Sequence, residues 1–236
     1  MIMNKSLNDA GMKRVPSRWK GICEEGEKFN KSNCNRKSIG ARWYVKGYEA
    51  EFGNLDTIDG SEFLSPRDAY GHGTHISSIA SGAIVKDTSF FGLARGLARG
   101  GTPSSHLAIY KVCRATGGCS SADILAAFDD SIHDGVHVIS VSLGTSSPLP
   151  TYVDDPLSID SFHVVARRIA VVSSCGNFGS YPQTVINTAP WIISVAASTI
   201  DRVFPTSIML GNNQTFVLTC CWVLKTCVIA NFMVGL

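Results

Sequence analysis

A chain of 236 residues that is 44% hydrophobic and 17% charged holds enough apolar material for one sizeable buried core, which excludes a disordered polypeptide. Its formal net charge is +2 and its basic residues are scattered, so composition makes no case for a nucleic-acid partner. Residues 1–14 contain no apolar core of signal-peptide length, so nothing in them directs secretion.

Residues 1–70 are rich in Gly, Asn, Asp, Lys and Glu and read as surface loops with brief strands and no helix. Of the eight cysteines, Cys23, Cys34, Cys113 and Cys119 fall as two pairs, each spaced by a short polar segment that a disulfide could close. Asn4, Asn30 and Asn213 begin N-x-S/T sequons, possible glycosylation sites that point with the cysteines to an oxidising secretory compartment. No CxxC repeat with a following histidine is present, so a structural zinc site is not expected.

From Thr74 the pattern changes. Ile76, Ile79 and Ala80 recur at helical spacing, and Gly82 is placed to end the helix in a left-handed cap. The repeat Gly92-Leu93-Ala94-Arg95 and Gly96-Leu97-Ala98-Arg99 lacks the Lys-Ser/Thr ending of a phosphate loop and reads as a loop with close backbone packing. Residues 107–113 are strand-like. Ser120 then opens a helix in a capping-box pattern with Asp123, with Leu125, Phe128 and Ile132 on its apolar face and Gly135 at its end. Residues 136–143 form a second strand, Asp155-Pro156 starts a helix, and residues 169–174 and 192–197 are two further strands. This alternation predicts an α/β fold, a parallel sheet joined by right-handed crossovers with helices on both faces.

In such sheets chemistry is sought just beyond the carboxyl ends of the strands. Ser142, Leu143 and Gly144 follow the second strand, and Gly176, Asn177, Phe178 and Gly179 follow the third. His72 lies between Gly71 and Gly73 at the mouth of a helix, exposed enough to exchange protons with a substrate, although a histidine there also suits a plain polar surface. Together with His75 it lacks the further ligands that a metal requires.

The string Asp68-Ala69-Tyr70-Gly71-His72-Gly73-Thr74-His75, followed by a small-residue helix, resembles the histidine motif of subtilisin-like serine proteases (peptidase family S8). The match extends through residues 15–21, 34–42, 107–113 and 189–202, resembles the plant branch in particular, and covers residues 7–216. The resemblance implies an incomplete subtilisin-like catalytic domain over residues 1–216, an extracellular location, a peptide or protein substrate, and no cofactor or metal. It implies that His72 is the general base and Asn177 the side-chain donor of the oxyanion hole. Ser142, Leu143 and Gly144 would pair with substrate backbone as an added strand, while Ser174, Cys175 and Gly176 would wall the primary specificity pocket. Cys175 stands where a small residue is usual, narrowing that pocket and adding an oxidation liability.

Departures from the family are equally specific. The family orders its triad Asp, His, Ser, with the aspartate in an Asp-Thr/Ser-Gly motif and the serine in Gly-Thr-Ser-Met-Ala. Neither motif occurs in these 236 residues. Asp9 resembles a position after the aspartate motif, Asp68 is only four residues from His72, and Ser146 is followed by Ser147-Pro148 in place of Met-Ala. The polypeptide by itself is therefore expected to be inactive, with non-catalytic peptide binding as the alternative role. Residues 217–236 diverge from the family and are apolar, but Lys225 and Asn231 interrupt them and no charged anchor follows, so no membrane span is expected.

Overall fold

In chain order the elements are β1 (Ser38–Trp43), α1 (Lys46–Phe52), α2 (His72–Ser81), β2 (Val85–Phe90), β3 (Leu93–Ala98), β4 (Leu107–Lys111) and α3 (Ser121–Asp134), then β5 (Val138–Val141), α4 (Pro156–Ala166), β6 (Ala170–Ser174), β7 (Ile193–Val195), β8 (Pro205–Met209), β9 (Thr215–Thr219) and β10 (Phe232–Gly235). The computed structural model describes residues 4–58, 60–115, 117–145, 148–198, 205–219 and 232–235.

Every residue of β4 is buried, as a strand covered on both faces must be. Successive side chains of a strand point to opposite faces, and β4 uses this to serve two cores. Ala108 and Tyr110 join Ile139, Val141 and Val171 of β5 and β6 beneath Phe128 of α3 and Leu157 and Val164 of α4. Leu107 and Ile109 turn the other way, to Leu7, Phe29 and Ala41, where Ile76 of α2 packs against them. Helices thus lie on both faces, and the chain has the expected α/β architecture.

The sheet order is β1-β4-β10-β5-β6-β7. The β1–β4, β5–β6 and β6–β7 pairs are parallel, and β10 runs antiparallel to both β4 and β5. Of residues 217–236, an apolar tail by sequence, positions 220–231 and 236 lie outside the described residues. Among the described residues no helix is long and apolar enough to cross a membrane.

Several local expectations need correction. The first 70 residues do contain a helix, α1, and its origin explains a second discrepancy. Asp123 does not close a capping box with Ser120, which makes no side-chain cap. Its carboxylate instead accepts from the backbone N–H groups of Gly47 (2.8 Å) and Tyr48 (2.9 Å), capping α1 from another element. The buried face of α3 runs through Ile124, Ala127, Phe128 and Ser131, while Leu125 is 46% exposed. Gly82 has φ −56° and is not left-handed. It is glycine because the backbone is crowded there: a Cβ would lie 2.4 Å from the Ser78 carbonyl oxygen. The Gly-Leu-Ala-Arg repeat is no close-packed loop; it builds β3, half of an antiparallel hairpin with β2, and a Cβ on Gly96 would meet nothing within 4 Å. Gly135, by contrast, ends α3 in the left-handed conformation as expected, and Asp155 caps α4 by accepting from Ser158 N (3.2 Å), with Pro156 in the first turn.

One buried group carries a pH dependence. Asp160 of α4 is 5% exposed, its Oδ2 has no hydrogen-bond partner among the described residues, and burial, with the Asp129 and Asp155 carboxylates nearby, pushes its pKa up to about 7. Between the ordinary carboxylate value of 3.8 and 7 the folded chain keeps a proton that the unfolded chain has lost, so stability falls as pH rises across that window. Asp160→Asn is expected to raise the melting temperature at pH 8 by about 2–4 °C for each kcal/mol recovered, and by progressively less towards pH 4. Thermal melts of both proteins from pH 4 to 8 would reveal it; a difference independent of pH would count against this origin.

Candidate active site

The placement of His72 begins with Gly71, whose φ of +93° is open to glycine and strained for other residues. The following turn is held by Asp68, whose carboxylate accepts from Gly71 N (2.7 Å), Thr74 N (2.8 Å) and Thr74 Oγ1 (2.6 Å). Asp68 is thus committed to the start of α2.

The loop before it is fixed from below by two buried charges. Lys111, at the end of β4, donates to Glu62 Oε1 (2.5 Å), Phe63 O (3.2 Å) and Arg67 O (2.7 Å), so all three ammonium protons are used. Glu62 also accepts from Phe63 N (2.8 Å) and Ala115 N (2.7 Å). Burial holds the Lys111 ammonium below the usual lysine range against the pull of the Glu62 carboxylate. The far end of α2 is tied by buried Lys37, which donates to Ser81 Oγ (2.7 Å), Pro103 O (3.0 Å) and Ser105 O (2.8 Å); burial brings its pKa down to about 8.

Across from α2, the carboxyl ends of β5 and β6 and the segment after β7 form the second wall of a cleft of about 340 Å³. His72, Ser142, Ser174, Cys175, Gly176 and Asn177 line it, together with Ile76 and Ile79, so the apolar face of α2 is partly spent on the cleft. His72 is half-buried and Asn177 exposed. Gly176 is left-handed at φ +81°, and a Cβ there would sit 3.1 Å from Ile186 Cγ1. Two of the residues expected to pair with substrate do not line the cleft: the Leu143 side chain is buried in the main core, and Gly144 lies against Ile186 and Asn187. Cys175 is half-buried and forms no disulfide among the described residues.

The other residues to which the sequence gives a possible role lie apart from the cleft lining. Cys23 is joined to Cys34 and Cys113 to Cys119, closing loops that contribute nothing to that lining. The Asn4 and Asn30 side chains accept from Ser6 N and Ser32 N, and Asn213 stands exposed in the β8–β9 turn. Asp9 is paired with Arg36 at 3.1 Å. Ser146, Cys220, Cys221 and Cys227 lie outside the described residues. Three residues that shape the site carry no motif that marks them in the sequence: Glu62, Lys111 and Asn187. Lys111 leaves one signal, a lone charge inside an apolar strand, which only a buried partner can explain.

The fold and cleft define an α/β protein with a histidine at a helix start facing an asparagine-bearing loop. The family model described as the subtilase family matches residues 46–230. Subtilisin-like protease SBT3.6 of Arabidopsis thaliana is 51% identical over 215 residues, covering 88% of this chain and 28% of the relative. Subtilisin-like serine-protease S of Lotus japonicus is 50% identical over 212 residues, covering 89% of this chain and 28% of the relative. The chain belongs to the subtilase family. It spans 28% of the length of these curated relatives.

Proposed function

We propose that this chain supplies the general base and the oxyanion donor of a subtilisin-type serine endopeptidase acting on peptide bonds. His72 takes the proton of an attacking hydroxyl, and the Asn177 amide N–H meets the charge that develops on the carbonyl oxygen. The observation that carries the reading is convergence: two residues 105 positions apart in sequence line one cleft with Ser142, Ser174 and Gly176 between them. Ser142 to Gly144 offers backbone to an extended peptide, and Ser174, Cys175 and Gly176 wall the pocket for the side chain before the scissile bond. The chemistry requires no metal or organic cofactor from these residues, and the reading includes an extracellular setting in which the two disulfides persist and the sequons are glycosylated.

Taken by itself, the polypeptide of 236 residues is proposed to bind peptide without turning it over, because neither the aspartate nor the serine motif occurs in it. Titrating ¹⁵N-labelled chain with an extended Ala-Ala-Ala-Phe peptide amide tests the binding half. Chemical-shift changes are expected at Ser142, Gly144, Gly176 and Asn177. Shifts confined to another surface would refute the assignment.

A further inference from the structure

The second wall of the cleft is built from the ends of different strands, and something must set the distance between those ends. Leu143 follows β5 and Ser174 ends β6, and the parallel ladder between these strands runs only as far as Val141 and Ser173. Beyond that point the single Asn187 side chain spans the pair: its Nδ2 donates to Leu143 O at 2.9 Å and to Ser174 O at 2.9 Å. Asn187 is 8% exposed, and its backbone carbonyl accepts from Ser194 Oγ of β7. The preceding residue joins the same junction, since Ile186 N donates to Cys175 O at 3.1 Å. The approach leaves no room for a side chain at position 144, because a Cβ on Gly144 would meet Ile186 Cδ1 at 2.6 Å and Asn187 Nδ2 and Oδ1 at 3.0 Å.

We propose that Asn187 is a positioning residue for peptide binding: one buried amide nitrogen, by donating to a carbonyl on each side, holds the 142–144 and 174–177 segments at the spacing the cleft requires. The inference rests on the reading of those segments as substrate-binding. Its chemistry is specific. An amide nitrogen offers two protons without charge, whereas an aspartate of the same size would present lone pairs to two carbonyl oxygens. Asparagine also tolerates the left-handed backbone at this position, φ +57°. Successive carbonyls of an extended segment point to opposite sides, so engaging Leu143 O on the inner side leaves the carbonyl of Ser142, a cleft-lining residue, facing the other way.

The test compares the chain with Asn187→Gly, which suits the positive φ, and with the isosteric Asn187→Asp. Hydrogen exchange at the Cys175 and Ile186 amides reports the junction, the amides of α3 report the general core, and affinity for the Ala-Ala-Ala-Phe amide reports the cleft. Both variants are expected to exchange about tenfold faster at the junction with α3 unchanged, and to bind the peptide about tenfold more weakly. Uniform acceleration including α3, or global unfolding, would make Asn187 a general core residue and overturn the proposal, as would an unchanged junction. Peptide affinity that stays the same while the junction loosens would overturn it too. Failure of the unaltered chain to bind peptide would instead remove the substrate reading on which the positioning role depends, while the exchange data would still decide whether Asn187 clamps the junction.

Discussion

A purified polypeptide of these 236 residues, incubated with a fluorophosphonate probe and a fluorogenic peptide, is expected to show neither covalent labelling nor turnover. The imidazole of His72 can activate a nucleophile only if a hydroxyl is held against it, and no residue of the cleft lining stands in the Gly-Thr-Ser-Met-Ala setting that the family uses. Ser142 and Ser174 line the cleft, but each belongs to a strand end proposed to contact substrate, not to the start of a helix. Asp68, the carboxylate nearest to the histidine in sequence, is spent on Gly71 and Thr74. In subtilisin the loss of the nucleophile alone costs about 10⁶ in kcat, and the residual effect of the oxyanion hole cannot restore it. A His72→Ala variant gives the decisive comparison. Labelling of the unaltered chain that vanishes in this variant would show an active serine and overturn the expectation.

Glu62→Ala is expected to lower stability by about 3–5 kcal/mol, the usual cost of leaving a buried charge without its partner. Lys111 and Glu62 are each 1% exposed, so water cannot replace the lost carboxylate at the ammonium. For a chain of this size the melting temperature should fall by about 10 °C. Glu62→Leu combined with Lys111→Met should recover part of the loss by removing the unpaired charge, but not all, because Phe63 N and Ala115 N still lose their acceptor. The effect should reach the helix that bears His72, because Lys111 also holds Arg67 O, one residue before the Asp68 cap. Faster exchange at the Gly71 and Thr74 amides would be the local sign. A Glu62→Ala protein melting within about 2 °C of the parent would show that the pair is not structurally important.

What the sequence determined by itself was everything carried by short-range pattern. Alternating apolar runs and caps located β4, α3, β5, α4, β6 and β7, and the spacing of Ile76, Ile79 and Ala80 located the helix that bears the histidine. These are legible because a strand or helix must display its buried face at a fixed period, and a motif built on backbone conformation needs glycine at a fixed place. Tertiary structure alone decided where polar groups found their partners. Asp123 has the spacing of a local cap, yet its carboxylate reaches α1, 75 and 76 residues away in sequence. Asn187 reads as one more polar loop residue until two strand ends bring their carbonyls to it. Ile79 fits a core face by period but lines the cleft, and β10 enters between β4 and β5 from the apolar tail that diverges from the family pattern. Periodicity records which side of an element is apolar, whereas a buried hydrogen bond is satisfied by whichever group folding places at the right distance, and sequence spacing holds no record of that.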